Sequence, residues 1–308
     1  MLSTPILFLV FNRPDTTIRV LEQIRIAKPG KLYIAADGFR SDRVGEEKAC
    51  KEVIRLIENG IDWPCEVHRL YRASNLGVKK AISGAITWFF DHVDAGIILE
   101  DDCLPDQSFF RFCAEMLERY KSDDHIYHIA GNNFQSGLLR GESSYYFSKY
   151  AHIWGWATWR RAWKNYDVDM SDYKTYSQSE AFKDLFQTNK EMKFWHRRMS
   201  TYVQDRSVNN YWALQWLYTC WRNGGLSIIP NANLVTNIGF GGGTNTTTKV
   251  DHLIVPAREL LFPLKHPGEI KIDREADLHT FQNVFAKKGS IWSRIRYRFN
   301  NIITKGKY

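Results

Sequence analysis

The sequence predicts an α/β protein with a mostly parallel central sheet flanked by helices. Three observations carry that reading. Strand-length apolar runs alternate with stretches of helical period over the first hundred residues, the pattern of βαβ units. The run Ile97–Leu99 is apolar without alternation, as expected of a central strand covered on both faces. It passes directly into Glu100, Asp101 and Asp102, three acids at the carboxyl end of a strand, where open α/β sheets place their ligands.

The elements follow in order. Residues 5–11 form the first strand. Residues 15–27 form a helix, with Ile18, Leu21 and Ile24 at helical spacing. The second strand spans 31–36 and ends in Asp37-Gly38. A helix over 46–58 carries Val53, Ile54 and Ile57 on one face. A strand over 65–72, a helix over 77–92 and the acid-ended strand over 96–99 come next, then a helix over 109–120 and a strand over 125–130.

Beyond about residue 140 the texture changes. Eight of the eleven tryptophans fall between Trp154 and Trp221, so this part is expected to complete the sheet and to add a tryptophan-rich lobe against a pocket. The polar stretch 166–190 reads as helix or loop. Residues 212–221 form an apolar helix stopped by Asn223-Gly224-Gly225. Residues 226–229 and 234–236 are short strands. The glycine-rich stretch 239–248 has no apolar period and reads as a mobile loop. There is no internal repeat and no evident linker.

Composition narrows the function. The chain has 308 residues, 44% apolar and 25% charged, which suits a globular domain with a real core. No run approaches 18 apolar residues, so no transmembrane helix is expected. The first ten residues lack a basic segment and a cleavage site, and read as a strand and not as a signal peptide. Five cysteines without a CxxC spacing argue against a disulfide framework and a zinc site, and point to a cytoplasmic home. The net charge of +8 suits anionic partners, but no nucleic-acid-binding motif is present. Part of that charge is local: residues 287–308 hold seven Lys or Arg and no acid, interleaved with apolar residues. Such a basic amphipathic tail either lies on an anionic membrane surface, on its inner face, or packs as a solvated terminal helix.

The acidic triplet has two readings. Three adjacent carboxylates repel one another and are costly to desolvate, and a hard cation such as Mn²⁺ or Mg²⁺ relieves both costs. That cation in turn suits a pyrophosphate. Alternatively the triplet is an acidic turn before a helix N-cap at Pro105-Asp106.

A series of motifs in order resembles the nucleotide-sugar glycosyltransferases of the GT-A type. It runs Ile6–Arg13, Ala36-Asp37-Gly38, Glu100-Asp101-Asp102 with Pro105-Asp106 and Phe109-Phe110, Gly155-Trp156, and Gln215-Trp216 ahead of Pro230 and Phe240. The likeness covers roughly residues 4–250. It is to the N-acetylglucosaminyltransferase I type in particular, and to bacterial haemolytic-protein-like relatives. The resemblance implies a GT-A-like, Rossmann-related fold. Its nucleotide-sugar-binding half is expected over 1–135, its acceptor and catalytic half over 136–260, and the basic tail over 261–308.

The resemblance also implies roles. Asp102 would bind Mn²⁺ or Mg²⁺, Asp101 would approach the ribose, and Glu100 would face the donor sugar. Phe11, at the end of strand one, would take part in binding the nucleotide sugar, and Arg13 just past it would clamp the diphosphate; otherwise Arg13 is a surface arginine before Pro14. Asp37 would receive the N–H of a uracil base; otherwise it serves the geometry of an Asp-Gly turn. Asn75 and Lys79 would contact base or phosphate, or Lys79 would be solvated. Gly155, Trp156 and Phe240 would line the sugar and acceptor pocket, or the tryptophans simply pack. The 239–248 loop would close over the donor and exclude water.

One position departs from the pattern. The family carries an aspartate as general base just before a late tryptophan. This chain reads Trp212-Ala213-Leu214-Gln215-Trp216. Depending on register, Ala213 or Gln215 replaces the acid, and neither takes a proton at neutral pH. Asp205 and Asp251 are the nearest acids in sequence. The expected function is a metal-dependent, inverting transfer from a nucleoside diphosphate sugar, with UDP implied by the resemblance, to a hydroxyl of a cell-surface glycan or lipid-linked acceptor. The alternatives are a sugar nucleotidyltransferase, which normally needs a glycine-rich basic loop after strand one, and a non-catalytic binding protein.

Overall fold

The computed structural model describes residues 1–205, 211–240 and 254–286. The strands are β1 (Ile6–Val10), β2 (Lys31–Ala36), β3 (Glu66–Tyr71), β4 (Ala95–Glu100), β5 (Cys103–Pro105), β6 (Ile126–Ala130), β7 (Tyr145–Ser148), β8 (Trp156–Trp159), β9 (Leu226–Pro230) and β10 (Val235–Asn237). Eight of them form one sheet in the order β3-β2-β1-β4-β8-β6-β9-β7, and β10 pairs with β5 in a two-stranded sheet. Strands β3, β2, β1 and β4 are mutually parallel, and β6 pairs parallel with β9. Strand β8 runs antiparallel to both β4 and β6. Strand β7 is antiparallel at the far edge.

The helices follow from apolar period. In α1 (Pro14–Ala27), Val20, Leu21 and Ile24 are buried, and Pro14 sits at the first turn, where its missing N–H costs nothing. In α2 (Glu46–Gly60), Val53 and Ile57 are buried. These two helices and α4 (Gln107–Arg119) cover the face of β1 that presents Ile6, Phe8 and Val10. Helix α3 (Val78–His92) covers the opposite face, against Leu7 and Leu9. Strand β1 thus alternates between two apolar layers, which is why all five of its residues are buried. The Asp106 side chain caps α4 by accepting from Ser108 N at 2.8 Å. The N-cap named beside the triplet is therefore real, four residues beyond Asp102.

Among the described residues the second half adds α5 (Arg160–Trp163), α6 (Tyr173–Tyr176), α7 (Glu180–Asp184), α8 (Asn189–Gln204), α9 (Ala213–Arg222) and α10 (Arg274–Thr280). Helix α10 continues as a π-helical turn, Phe281–Phe285. The tryptophans do not gather in one lobe. Trp159 joins the layer under α4; Trp156, Trp163, Trp212 and Trp216 pack on the α3 face; Trp195 and Trp221 lie in a separate aromatic cluster. That cluster also holds Phe281, Val284 and Phe285, so this part of the 261–308 stretch is packed helix. Residues 287–308, residues 241–248 of the glycine-rich stretch, and Asp251 lie outside the described residues. No described helix is long and apolar enough to cross a membrane.

Candidate functional site

The strand order sets the site. Strand β1 leads through α1 to β2 on one side, while β3 leads through α3 to β4 on the other. Chain direction therefore diverges between β1 and β4, and a crevice opens beyond their carboxyl ends. Arg13 follows β1, and Glu100 ends β4. The structure brings Arg13 and the acids together there: Arg13 Nη1 lies 2.6 Å from Asp102 Oδ2 and 4.0 Å from Asp101 Oδ1. Phe11 N donates to Asp101 Oδ2 at 3.1 Å.

One guanidinium faces three carboxylates. Burial, then the charges of Asp102 and Asp101, push the Glu100 carboxyl up to about 8. Burial, then Asp102, push Asp101 up to about 7, although Arg13 and the Phe11 amide oppose this. Full ionisation of the triplet would thus put more negative charge here than Arg13 alone balances, and the fold resists it by holding protons on Glu100 and Asp101.

A third segment closes over this pair. Gly239, just past β10, would place a Cβ 2.3 Å from Asp102 Oδ2 and 2.7 Å from Arg13 Nη1. The backbone passes directly against the ion pair, and a side chain at this position would have to push the Asp102 and Arg13 ends aside. Ile238 N donates to the Asp102 carbonyl at 2.8 Å, which ties that segment to the triplet.

The other predicted residues divide into two groups. Asp37 and Asn75 tie the loop after β2 to the segment that begins α3. Asp37 Oδ1 accepts from Gly38 N at 3.1 Å and Leu76 N at 3.0 Å, and Oδ2 accepts from Gly77 N at 3.1 Å. Asn75 Nδ2 donates to the Gly38 carbonyl at 2.7 Å. Three main-chain amides therefore take up part of the acceptor capacity of the Asp37 carboxylate. These bonds extend the Asp-Gly turn to a staple on the start of α3. Lys79, half-buried on the first turn of α3, lies 5.3 Å above the Tyr202 ring.

The second group surrounds β8. Trp156 is completely buried, stacked on His128 at 5.0 Å and on Trp212 at 5.6 Å. Its ring faces are covered by these neighbours, the packing alternative for the tryptophans. Trp154 is half-buried instead, edge-on to Phe240 at 5.5 Å and to Phe134 at 5.2 Å. Gly155 between the tryptophans has φ +63 and would meet Val235 Cγ2 at 2.8 Å, so the chain can turn and pack there only as glycine.

Of the base candidates, Ala213 is the first residue of α9 and Gln215 is completely buried, with both amide atoms lacking a protein partner. Asp205 is exposed at the C-cap of α8. Among the described residues no three His, Cys, Asp or Glu side chains converge on a point that would hold a metal. A full protein cage is therefore not offered. The chemistry still fits Mg²⁺ or Mn²⁺, which are commonly held by one or two carboxylates and the oxygens of a bound phosphate.

Sequence reasoning missed Arg40, Glu46, Asn132 and Phe134. Glu46, nearly buried, accepts from Arg40 N at 2.8 Å and Asn12 Nδ2 at 2.9 Å, and Arg40 lies 5.6 Å over the Phe11 ring. No local pattern announces that triangle; only the loop between β2 and α2 assembles it. A separate cleft of about 730 Å³ lies at the opposite, amino end of the sheet, lined by Pro5, Asp94, Lys121, Trp159 and Arg160. Two of its cations are engaged, Arg160 with Asp94 and Lys121 with Glu118, and it holds none of the residues above.

No family model matches the chain, and no curated protein matches it. Solved structures show likeness of fold. An apo UDP-glucose pyrophosphorylase aligns with a TM-score of 0.41 at 10% identity, over 77% of this chain and 93% of that one. HddC from Yersinia pseudotuberculosis aligns at 0.32 and 11%, over 53% and 80%. Residues 1–349 of S. aureus TarS align at 0.36 and 10%, over 54% and 49%. Likeness at this level carries no argument about activity, which rests on the residues themselves.

Proposed function

We propose that the chain is a metal-dependent glycosyltransferase that moves a sugar from a nucleoside diphosphate, UDP by resemblance, to a hydroxyl of a glycan or lipid-linked acceptor, with inversion. One observation carries this reading. Asp101 and Asp102 meet Arg13 at the crevice between β1 and β4, with Glu100 close enough to feel their charge, and one guanidinium does not suffice to keep all three acids ionised. A divalent cation bound with a diphosphate supplies the missing charge, and the diphosphate in turn gives Arg13 a second anion to hold.

In this reading Asp102, with the phosphate oxygens, holds the cation. When bound, the cation neutralises the charge that grows on the leaving diphosphate. The chain's own residues do the rest. Arg13 swings its guanidinium between Asp102 and the diphosphate. Asp37 and Asn75 keep the base-side loops rigid, and Glu46 holds Arg40 over the Phe11 ring beside them. Glu100 and Asp101 line the crevice between phosphate and sugar.

The test is calorimetry with UDP and Mn²⁺, followed by a hydrolysis assay on a panel of sugar nucleotides. Asp102→Ala should abolish metal-dependent UDP binding with the fold intact. Unchanged affinity in that variant removes the metal assignment. Pyrophosphate release from a nucleoside triphosphate and a sugar phosphate would instead identify a nucleotidyltransferase. The alanine at 213 favours one further reading, a protein that binds the donor without turning it over. Binding without hydrolysis or transfer on any donor would select it.

A further inference from the structure

The carboxyl rim of the sheet arranges its residues in a line. Asp37 stands at the end of β2, Arg13 at β1, the acids at β4, and Asn132 just beyond β6, with the start of β8 between the last two. Neighbouring strands are about 4.8 Å apart, so β6 ends about 10 Å past the acids. A bound group running from base to diphosphate along this rim continues toward β8 and β6. Phe240 directly follows Gly239, whose backbone rests on the Arg13–Asp102 pair.

We propose that Trp154, Phe134 and Phe240 form a shelf for the apolar face of a pyranose, and that the Asn132 amide donates to one of its hydroxyls. The sugar is the one attached to the nucleotide, so the inference rests on the nucleotide-sugar reading. Two independent features meet here. The three rings are half-buried and held edge to face, with Phe134 at 76° to Trp154 and Trp154 at 66° to Phe240. This arrangement fixes their directions and leaves ring surface uncovered. Phe134 is also braced from behind by His152, at 4.9 Å and 84°.

The second feature is Asn132. It is 1% exposed, and its Oδ1 accepts from Trp154 N at 3.2 Å. That bond fixes which end of the amide faces the chain, so Nδ2 is turned away, and among the described residues it has no partner. Buried amide donors are paired in nearly all native proteins, and an exception calls for a ligand or a water. A donor beside an aromatic shelf matches the two faces of a pyranose, polar at the hydroxyls and apolar at the C–H groups.

The experiment compares UDP with UDP-glucose, UDP-galactose and UDP-N-acetylglucosamine by calorimetry in Mg²⁺. Wild type should bind at least one of the three more tightly than UDP. Asn132→Asp keeps the oxygen that holds Trp154 N and removes the donor. Phe134→Leu thins the shelf at its half-exposed edge. Unfolding midpoints near wild type establish that both variants are folded. Each should bind UDP within about twofold of wild type, while the advantage of the sugar nucleotide drops about three- to tenfold, the worth of one hydrogen bond. An advantage that survives in both variants, or that wild type never shows, overturns the proposal and leaves Asn132 to a buried water.

Failure of the nucleotide reading looks different. Wild type then binds no UDP at all, and the shelf is read alone by saturation-transfer NMR with methyl glycosides. Saturation that Phe134→Leu removes supports the shelf. No saturation in wild type overturns it.

Discussion

Arg13 and a metal ion compete for the same oxygen, and that competition has a measurable sign. Arg13 Nη1 sits 2.6 Å from Asp102 Oδ2, with the two side chains 18% and 17% exposed. For charge centres about 4 Å apart at an effective dielectric of about 20, the attraction is about 4 kcal/mol. Desolvation of both groups offsets part of it, so Arg13→Gln should cost about 1–3 kcal/mol of stability in EDTA. The same substitution removes a positive charge beside the proposed metal site. It should therefore tighten Mn²⁺ binding in the absence of nucleotide, by about tenfold, while weakening binding of UDP with Mn²⁺. Chemical denaturation and two titrations measure all three. The pH dependence adds a check. Burial and neighbouring charge raise Glu100 to about 8 and Asp101 to about 7, above their unfolded values of about 4. The folded state then keeps protons that the unfolded chain has released, so stability in EDTA falls as pH rises from about 4 to 8. Arg13→Gln should steepen that fall, and Mn²⁺ should flatten it. Metal affinity that drops in Arg13→Gln would refute the competition and with it the place of Asp102.

Three further predictions follow from single positions. Gly155→Ala should destabilise the fold by about 1–3 kcal/mol in thermal denaturation, because φ is +63 and the new Cβ meets Val235 at 2.8 Å. Ala213→Asp should raise turnover by up to about 10²-fold with little change in donor affinity, since a base acts only in the transition state; Gln215→Asp, from a completely buried position, should not. Burial raises Asp277 to about 7, and it accepts from Ser148 Oγ and from Lys149 N at 3.2 Å. Its proton is held more tightly in the folded state, so its contribution to stability is lost as pH rises from about 4 to 7; Asp277→Asn should flatten stability over that window in urea titrations.

The first hundred residues were readable because each element announces itself locally. Ile97–Leu99 is apolar on both faces and lies in the middle of the sheet. Arg13 and the triplet were readable because strand ends place residues by sequence alone. Helix α8 carries its apolar stripe within a polar stretch. Glu191, Trp195, Met199 and Tyr202 recur at helical spacing and are buried, and Thr188 caps Glu191 N at 3.2 Å. The polar residues around them masked the stripe. Strands β7 and β8 are four residues each, too short for a period to show. The choice between Trp154 and Trp156 was not local at all. Pairing of Trp156 with Ile98 and Ala130 sends its ring into the α3 layer, and only the sheet registers contain that fact. Asn132 and Phe134 were invisible for the same reason.

The reversed strand β8 stands between two sets of contacts. On one side lie the segments after β1, β2 and β4, with Arg13, Asp37 and the acids. On the other lie the segment after β6 and the entry to β8, with Asn132, Phe134 and Trp154. The two sets share almost no backbone, and the loop beside Asp37 is locked by its own amides. Under the proposed reading, nucleotide choice and sugar choice are then separable traits. A lineage or a designer can redraw residues 132–134 to admit a different sugar while inheriting the nucleotide grip unchanged.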